Sequence, residues 1–588
     1  MGLGLLQRRA LGDIQMALLG IPLLRVVGHQ AADEGLLVAL DLDTSQFEKS
    51  EGGLPVEAVE RLFVFVSLAW PLIPPRVEVD HQRWNHQPHV LQGRRLCLYL
   101  DPATEWNPEA GMTGFLERLW EWFADAIANR FNAATALYHP VGGVLHRSEG
   151  APTVVVTESL AHLAPGFHVG RILLTPRTPR RIDVASWNRT RPTDNTIPGV
   201  LVVLSDSLPS GGGNHLSDLA VAIRGQDARQ QRRQFLSAVS KTVRQLEPNQ
   251  HLYVIIGVPN RHLTGEQRLH LVGWRLQQTA VATAVDAAGR RHKPEDPHAD
   301  AEPKVEWTYI DDIRAAVTTR RDSERPVTWL EGKNIELWGC GALGSWVAEH
   351  VVRAGASRIV LRDNGHVTRG LLVRQNYTEV DVGERKVDAL ARRLEVLSDR
   401  VTARPVHGLA QLAMDDVNKA DILFDCTVNT SVAVTIGQHQ AGGRIAIPVA
   451  QAATDNDTAT LGILTVTTGR RGETTNRIDR YLERIAAGRP DLQSFRRFWD
   501  PHHHASLTPT LGCSVPTFHG SSADSCSIAA SAVSLASLAL SRGIAAGYLL
   551  ASPHTPYDVP LLTSVPVPGP GPSSDELTRA MVIPGVSR

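Results

Sequence analysis

The feature that most constrains this chain is the run Asn334-Ile-Glu-Leu-Trp-Gly339-Cys-Gly341-Ala-Leu-Gly344-Ser345. An apolar strand leads straight into a Gly-x-Gly-x-x-Gly turn, and an amphipathic stretch continues as far as Gly355, a natural helix stop. A second apolar segment, 358–361, ends shortly before Asp363. Glycines let a phosphate approach the positive end of the helix, and an acid after the second strand bonds ribose hydroxyls. The pattern continues as β-α-β-α over 326–470, which calls for a parallel sheet with helices on its faces. A Rossmann-like nucleotide domain is therefore expected over 326–552. A tight turn with no ligand is the plainer alternative for the same glycines.

The turn by itself suits a NAD-dependent oxidoreductase as well as an ATP-using enzyme, and the residues downstream of it separate the two. Arg374-Gln375 comes eleven residues after Asp363, Gly383-Glu-Arg-Lys386 opens another helix, and a third strand ends in Asp425-Cys-Thr-Val-Asn429. An Arg and a Lys converging on phosphates have no task in hydride transfer. They suit a reaction in which charge develops on an α-phosphate and pyrophosphate leaves, with an Asp holding Mg²⁺.

In this order the motifs resemble the ThiF/MoeB and ubiquitin-activating adenylation family. The resemblance implies that Gly339, Gly341 and Gly344 cradle ATP and that Asp363 holds its ribose. It gives Arg374 and Lys386 to the phosphates, Asp425 to Mg²⁺, and Gln375 and Asn429 to supporting contacts. It also implies a homodimer and an arginine supplied from upstream sequence, for which Arg320, Arg321 and Arg325 are the candidates. Two positions depart from the family pattern: Gly365 stands where a second Asp is usual, and Leu371 where an Asn is usual.

Five cysteines, with no Cys-x-x-Cys pair, exclude a disulfide framework and a four-cysteine zinc site. Cys513 sits in Gly512-Cys-Ser-Val-Pro516-Thr-Phe-His519-Gly520, after the expected sheet. A thiol on a glycine- and proline-punctuated loop is placed to reach an acyl-adenylate. In ubiquitin-activating relatives the acceptor cysteine comes after the adenylation sheet, which matches Cys513; the alternative is a half-buried loop thiol. Cys526 belongs to a small-residue helix and reads as core, while Cys340 and Cys426 read as packing residues. The adjacent His502, His503 and His504 read as solvent-facing, since neighbours on regular structure do not converge on one ion.

The second informative thiol is Cys97. A strand over 62–70, Pro71-Leu-Ile-Pro74-Pro75, His86-Gln-Pro88-His89, Leu96-Cys97-Leu98, Trp106-Asn-Pro108 and a helix over 114–131 come in that order. This is similar to the ubiquitin-conjugating fold, with Cys97 in the catalytic place; a core cysteine is the alternative. The eukaryotic His-Pro-Asn triplet is absent, and the resemblance leaves His89 or backbone amides to stabilise the oxyanion.

The expected architecture is thus a multidomain α/β protein. It comprises an α+β ubiquitin-conjugating-like domain over 1–145, a middle α/β domain over 150–325 with no readable motif, the ThiF-type domain over 326–552, and a Pro-rich tail over 553–588. A conjugating-like domain ahead of an activating-like one resembles bacterial fusion enzymes of antiphage operons, including the CBASS type. The resemblance implies adenylation of a protein's C-terminal carboxylate, a thioester on Cys513, transfer to Cys97 and attachment to a target amine. The passenger it implies is a cGAS-like nucleotidyltransferase or a ubiquitin-like protein, and nothing in the chain chooses between them. A sulfur-carrier adenylyltransferase without conjugation, a NAD-dependent oxidoreductase and an inactive scaffold are the competing classes.

Lys and Arg total 60 against 61 Asp and Glu, which removes a strongly basic nucleic-acid or membrane binder as the default. Arg8, Arg9 and Asp13 interrupt the apolar N-terminus, and Leu6 stands where a myristoylation signal needs Ser or Thr. The uncharged 525–541 run is too rich in serine and alanine for lipid and reads as a buried helix. A cytoplasmic location is expected, with neither nucleic acid nor membrane as partner.

Overall fold

The computed structural model describes residues 3–566 and 581–582, apart from 85–86, 92–93, 133–147, 164–165, 188–194, 207, 209–212, 261–264, 283–303, 319, 409–416, 501, 504–506, 511–512 and 517–518. The chain forms two compact units, Met1–Thr319 and Arg320–Arg588.

The first unit opens with a six-stranded sheet. Its spatial order is Leu24–Ala32, Gly35–Asp43, Val59–Ser67, Arg76–Glu78, Arg95–Leu96 and Val90–Leu91, and all pairs are antiparallel. Leu36, Val38, Leu40 and Leu42 alternate into the core, as one-sided burial of a strand requires. The helix Gly111–Ile127 lays Phe115, Leu116, Leu119, Trp122 and Phe123 on the same core, at the three- and four-residue spacing visible in the sequence.

An eight-stranded mixed sheet comes next, between Thr153 and Asp312. Its strands Ile197–Val203 and His251–Pro259 pair in parallel and read as continuous apolar runs because both faces are covered. The helical stretch expected over 217–246 is two helices, Leu216–Ala222 and Ala228–Val243; Gly225 between them has φ +112°, a conformation that a helix cannot contain.

The second unit is built on nine strands. In spatial order they are Thr402–His407, Arg358–Asp363, Asn334–Trp338, Ile422–Asp425, Val449–Thr454, Leu461–Thr467, Ala546–Ala551, Leu562–Pro566 and Met581–Val582. The first five are parallel and the rest antiparallel. The last two lie in the segment read as a Pro-rich tail; they extend the sheet.

The helix Ser522–Ser541 is long and apolar enough to cross a membrane, yet it is a core element here. Ile528, Ala529, Ala532, Val533 and Ala536 bury its small-residue face in the main core of the unit. From Asn334–Trp338 the chain moves first to one side of the sheet and then returns to the other. That reversal opens a crevice at the carboxyl ends of Asn334–Trp338 and Ile422–Asp425, where α/β sheets bind ligands.

Candidate active site

The glycine turn sits at this reversal. Gly339 has φ +84°, and a Cβ on it would stand 2.8 Å from the Cys426 backbone, so only glycine lets the two strand ends meet. A Cβ on Gly344 would stand 1.8 Å from the Gly339 carbonyl oxygen, which ties the turn to the first residue of the helix Gly344–Arg353. Gly341 is different: nothing lies within 4 Å of its Cβ position. Its missing side chain leaves space beside the turn and serves no packing need.

Asp363 ends the second strand and holds the turn. Cys340 N donates to Asp363 Oδ2 at 2.7 Å, and Gly365 N donates to Oδ1 at 2.6 Å. The Cβ point of Gly365 lies 3.0 Å from Asp363 Oδ1 and 3.3 Å from Lys386 Nζ. Lys386 Nζ therefore reaches the space left by the absent side chain at 365, beside Asp363. Lys386 opens the helix Lys386–Leu397, and its N–H bonds the Gly365 carbonyl at 3.0 Å.

Arg374 is half-buried, and that burial pulls its guanidinium below the usual arginine range. Gln375 is buried, and its Oε1 has no hydrogen-bond partner among the described residues. Asn376 and Tyr377, which no sequence motif flagged, fasten this segment. Asn376 donates from its N–H to Ser345 Oγ (3.0 Å) and from its side-chain amide to Glu349 (2.6 Å); Tyr377 Oη donates to the Cys340 carbonyl at 2.7 Å. Their signal was adjacency to Arg374-Gln375. Arg320, one of the three upstream arginines, pairs with Asp322 and donates to the Ala354 carbonyl, so it caps the helix Gly344–Arg353 locally.

Asp425 is 2% exposed, and burial raises its carboxyl above the usual range. Oδ1 accepts from Thr427 N (3.0 Å) and Oγ1 (2.7 Å), while Oδ2 accepts from Gln451 Nε2 at 2.7 Å. The Oδ2 atom keeps a second lone pair, and the group lines a pocket of about 440 Å³ that also takes in Asn429, Gln451 and Thr465. Asn429 accepts from Val432 N at 3.2 Å and caps the helix Thr430–Ala441. Val428 just before it has φ +51°, a strained conformation for a β-branched residue, which costs about 1–3 kcal/mol and marks a place where geometry outranks comfort.

Among the described residues no group of three or more His, Cys, Asp or Glu is arranged to hold a metal. A single carboxylate suits Mg²⁺, which takes one or two carboxylates and fills its octahedron with substrate phosphates and water. The open cradle at Gly341, the orphaned Gln375 Oε1 and Asp425 on the pocket wall fit a nucleotide with Mg²⁺.

Cys97 is half-buried, and its N–H donates to the His89 carbonyl at 2.9 Å. His89 has φ +59°, and its ring packs against Phe131 with centroids 4.6 Å apart and planes tilted by 57°, so it shapes the backbone beside the thiol. The thiol donates to the Tyr99 carbonyl at 3.4 Å. Burial pushes it above the usual thiol range, and Arg95 opposes that rise. Trp106 Nε1 donates to the Pro71 carbonyl at 2.8 Å, closing the Trp-x-Pro element on the proline loop.

Cys513 falls on the strand Cys513–Pro516, paired with Leu507–Thr510; the loop expectation gives way to a small hairpin backbone, and its side chain lies outside the described residues. Gly512 and His504 lie outside them as well. Cys526 is half-buried, with Sγ 3.7 Å from His350 Nε2, a contact that the expectation of a core thiol did not include. Cys340 and Cys426 are buried, as expected, and burial raises both thiols. His503 pairs with Asp457 at 2.9 Å.

Residues 324–467 match the ThiF family, and residues 20–149 match the prokaryotic E2 family A. The chain joins an E2-like domain to a ThiF domain. All the motif residues from Gly339 to Asn429 fall inside the ThiF match, and Cys97 falls inside the E2 match. No curated protein matches the chain. Among solved structures, E. coli MccB with ATP is 16% identical over 41% of this chain and 64% of that one, with a TM-score of 0.29. PaaA is 13% identical over 39% and 64%, also at 0.29, and E. coli MccB with AMPCPP and MccA is 17% identical over 39% and 63%, at 0.28. This chain thus spans slightly under two thirds of MccB.

Proposed function

We propose that this E2–ThiF chain adenylates the C-terminal carboxylate of a passenger protein and conjugates the passenger to an amine. A carboxylate oxygen of the passenger attacks the α-phosphorus of ATP, and pyrophosphate leaves. Arg374 and Lys386 offset the charge that develops on the phosphates. Asp425 is the residue that would hold Mg²⁺, which supplies charge neutralisation. The Cys513 thiolate attacks the acyl carbon and releases AMP. The Cys97 thiolate then takes the acyl group by thioester exchange, a nearly thermoneutral step. A target amine attacks that thioester, forming an amide and freeing Cys97.

The observation that carries the proposal is the clustering of Asp363, Lys386 and the open Gly341 at the sheet reversal, with Asp425 across the crevice, in a chain that also holds Cys97 in an E2-like domain. The passenger is a cGAS-like nucleotidyltransferase or a ubiquitin-like protein. The setting is bacterial antiphage defence, which the domain order supports, and the enzyme acts as a homodimer, which the family resemblance supports; its place is the cytoplasm. ATP–pyrophosphate exchange with proteins encoded beside this gene tests the proposal. Exchange that depends on a passenger's free carboxyl terminus is expected; reduction of a nicotinamide in its place would overturn it.

A further inference from the structure

The middle region holds a cleft that no step of the proposed reaction uses. It lies between the helix Ala228–Val243 and the start of the strand His168–Thr178, and its volume is about 640 Å³. The floor is apolar: Phe167, Val169 and Ala238 pack on the core beneath the helix yet stay only half-buried. The rim is polar, with Gln230, Gln234 and Ser237 on successive turns of the helix. Arg233 and Lys241 flank Ser237 on the same rim, about 12 Å apart along the helix axis, and both are exposed.

These two charges have no counterpart nearby. The helix carries Arg229, Arg232, Arg233 and Lys241 and no Asp or Glu, so the pairing of opposite charges four residues apart that steadies many exposed helices is absent. Among the described residues no carboxylate forms an ion pair with Arg233 or Lys241. Arg232 differs: it donates to the carbonyls of Ile223 (3.1 Å) and Val221 (3.4 Å), and so ties down the preceding helix end. A face shaped only for water needs neither a hollow nor an apolar floor. Here a hollow, an apolar floor, amide and hydroxyl groups and two free cations occur together, which is the make-up of a small-ligand site.

We propose that this cleft binds a small anion of the nucleotide class, one or two nucleotides in size with two phosphate charges. A flat base lying on Phe167 and Val169 covers the apolar area that the fold leaves open. The side-chain amides of Gln230 and Gln234 each offer a donor and an acceptor, which is what base edges need. Arg233 and Lys241 take the phosphates. Free phosphate would engage the cations and leave the floor wet, and an apolar ligand would make no use of the cations. The volume suits such a ligand and is too small for a folded partner. The cleft lies wholly within Met1–Thr319, and the glycine turn lies in the other unit, so the proposal stands apart from adenylation.

The test uses the full chain and a 5′-phosphorylated diadenylate labelled with fluorescein at its 3′ end, with binding read by anisotropy. Binding should be saturable. Arg233→Gln and Lys241→Gln should each weaken it about 10-fold, the loss expected for one charge-assisted contact. Phe167→Leu, which keeps the apolar volume and removes the ring face, should weaken it as well. Circular dichroism should show all three variants folded, since Arg233 and Lys241 are exposed and the Leu remains apolar. Lys386→Ala, in the ATP site, should leave binding unchanged. No saturable binding, or binding that survives in the Arg233→Gln/Lys241→Gln double variant, would overturn the proposal. So would a loss in Lys386→Ala in place of the cleft variants, which would assign the probe to the adenylation site. Sodium pyrophosphate competing as well as unlabelled diadenylate would overturn the role of the base. A labelled ten-nucleotide oligoadenylate binding more than 10-fold tighter than the dinucleotide would overturn the small-ligand assignment.

Discussion

Asp425 carries the sharpest expectation at the level of single residues. Asp425→Asn keeps the size of the side chain but removes the charge, so exchange should fall by about 10²–10³-fold, the range for deleting one electrostatic contact in a transition state. Circular dichroism should show an unchanged fold, because the Asn oxygen still accepts from Thr427 and the Gln451 amide flips to accept from the new Asn nitrogen. Cys97 gives a second expectation. Burial holds its thiol above the usual range while Arg95 pulls it down, so less thiolate is present near neutrality, and reactivity rises with pH through that raised value. Arg95→Gln removes the opposing charge. Iodoacetamide labelling of Cys97 should then be slower at pH 8, with its pH profile displaced upward; a downward displacement would contradict the electrostatic account. At this scale the sequence was informative wherever the chemistry needs a particular residue type. The places of Gly339 in the turn, Asp363 and Asp425 at strand ends and Lys386 at a helix start were legible from spacing; their roles toward ATP belong to the proposal. Gln451, Tyr377 and the His350–Cys526 contact were not legible, since each is brought to its partner by a fold that no local pattern encodes.

Among elements, the turn from strand to helix separates a glycine that packing requires, Gly344, from one that packing does not, Gly341. Gly344→Ala places a methyl group 1.8 Å from the Gly339 oxygen and should destabilise the domain by about 1–3 kcal/mol, read as a lowered melting temperature. Gly341→Ala meets nothing within 4 Å, so its melting temperature should stay near that of the wild type while ATP binding by calorimetry weakens. Equal loss of stability in both variants would assign Gly341 to packing. The same region shows why the parallel sheet was readable: the central strands Asn334–Trp338, Arg358–Asp363 and Ile422–Asp425 are mainly apolar and bounded by turns and helices. The tail strands Leu562–Pro566 and Met581–Val582 were not, because proline-rich composition hides an edge strand whose pairing is decided by the sheet it joins. The hairpin around Cys513 was missed for a related reason, as four-residue strands beside Gly and Pro look like loop.

For the whole molecule, the proposed relay needs two chemically distinct thiols used in order. The nucleotide-site residues fall in the ThiF domain and Cys97 in the E2-like domain, so the proposed relay gives Cys97 its acyl group from the thioester on Cys513. The middle region, with its own eight-stranded sheet, was opaque to sequence because its conspicuous features are core-forming strands, which specify packing and not chemistry. The most direct measurement tracks a labelled passenger on non-reducing gels after incubation with ATP. In Cys97→Ala a reducible thioester should accumulate on Cys513 with no conjugated product, and Cys513→Ala should form adenylate but no thioester on any cysteine. A thioester on Cys97 in the Cys513→Ala protein would contradict the relay, and normal conjugation in that protein would remove Cys513 from the reaction altogether.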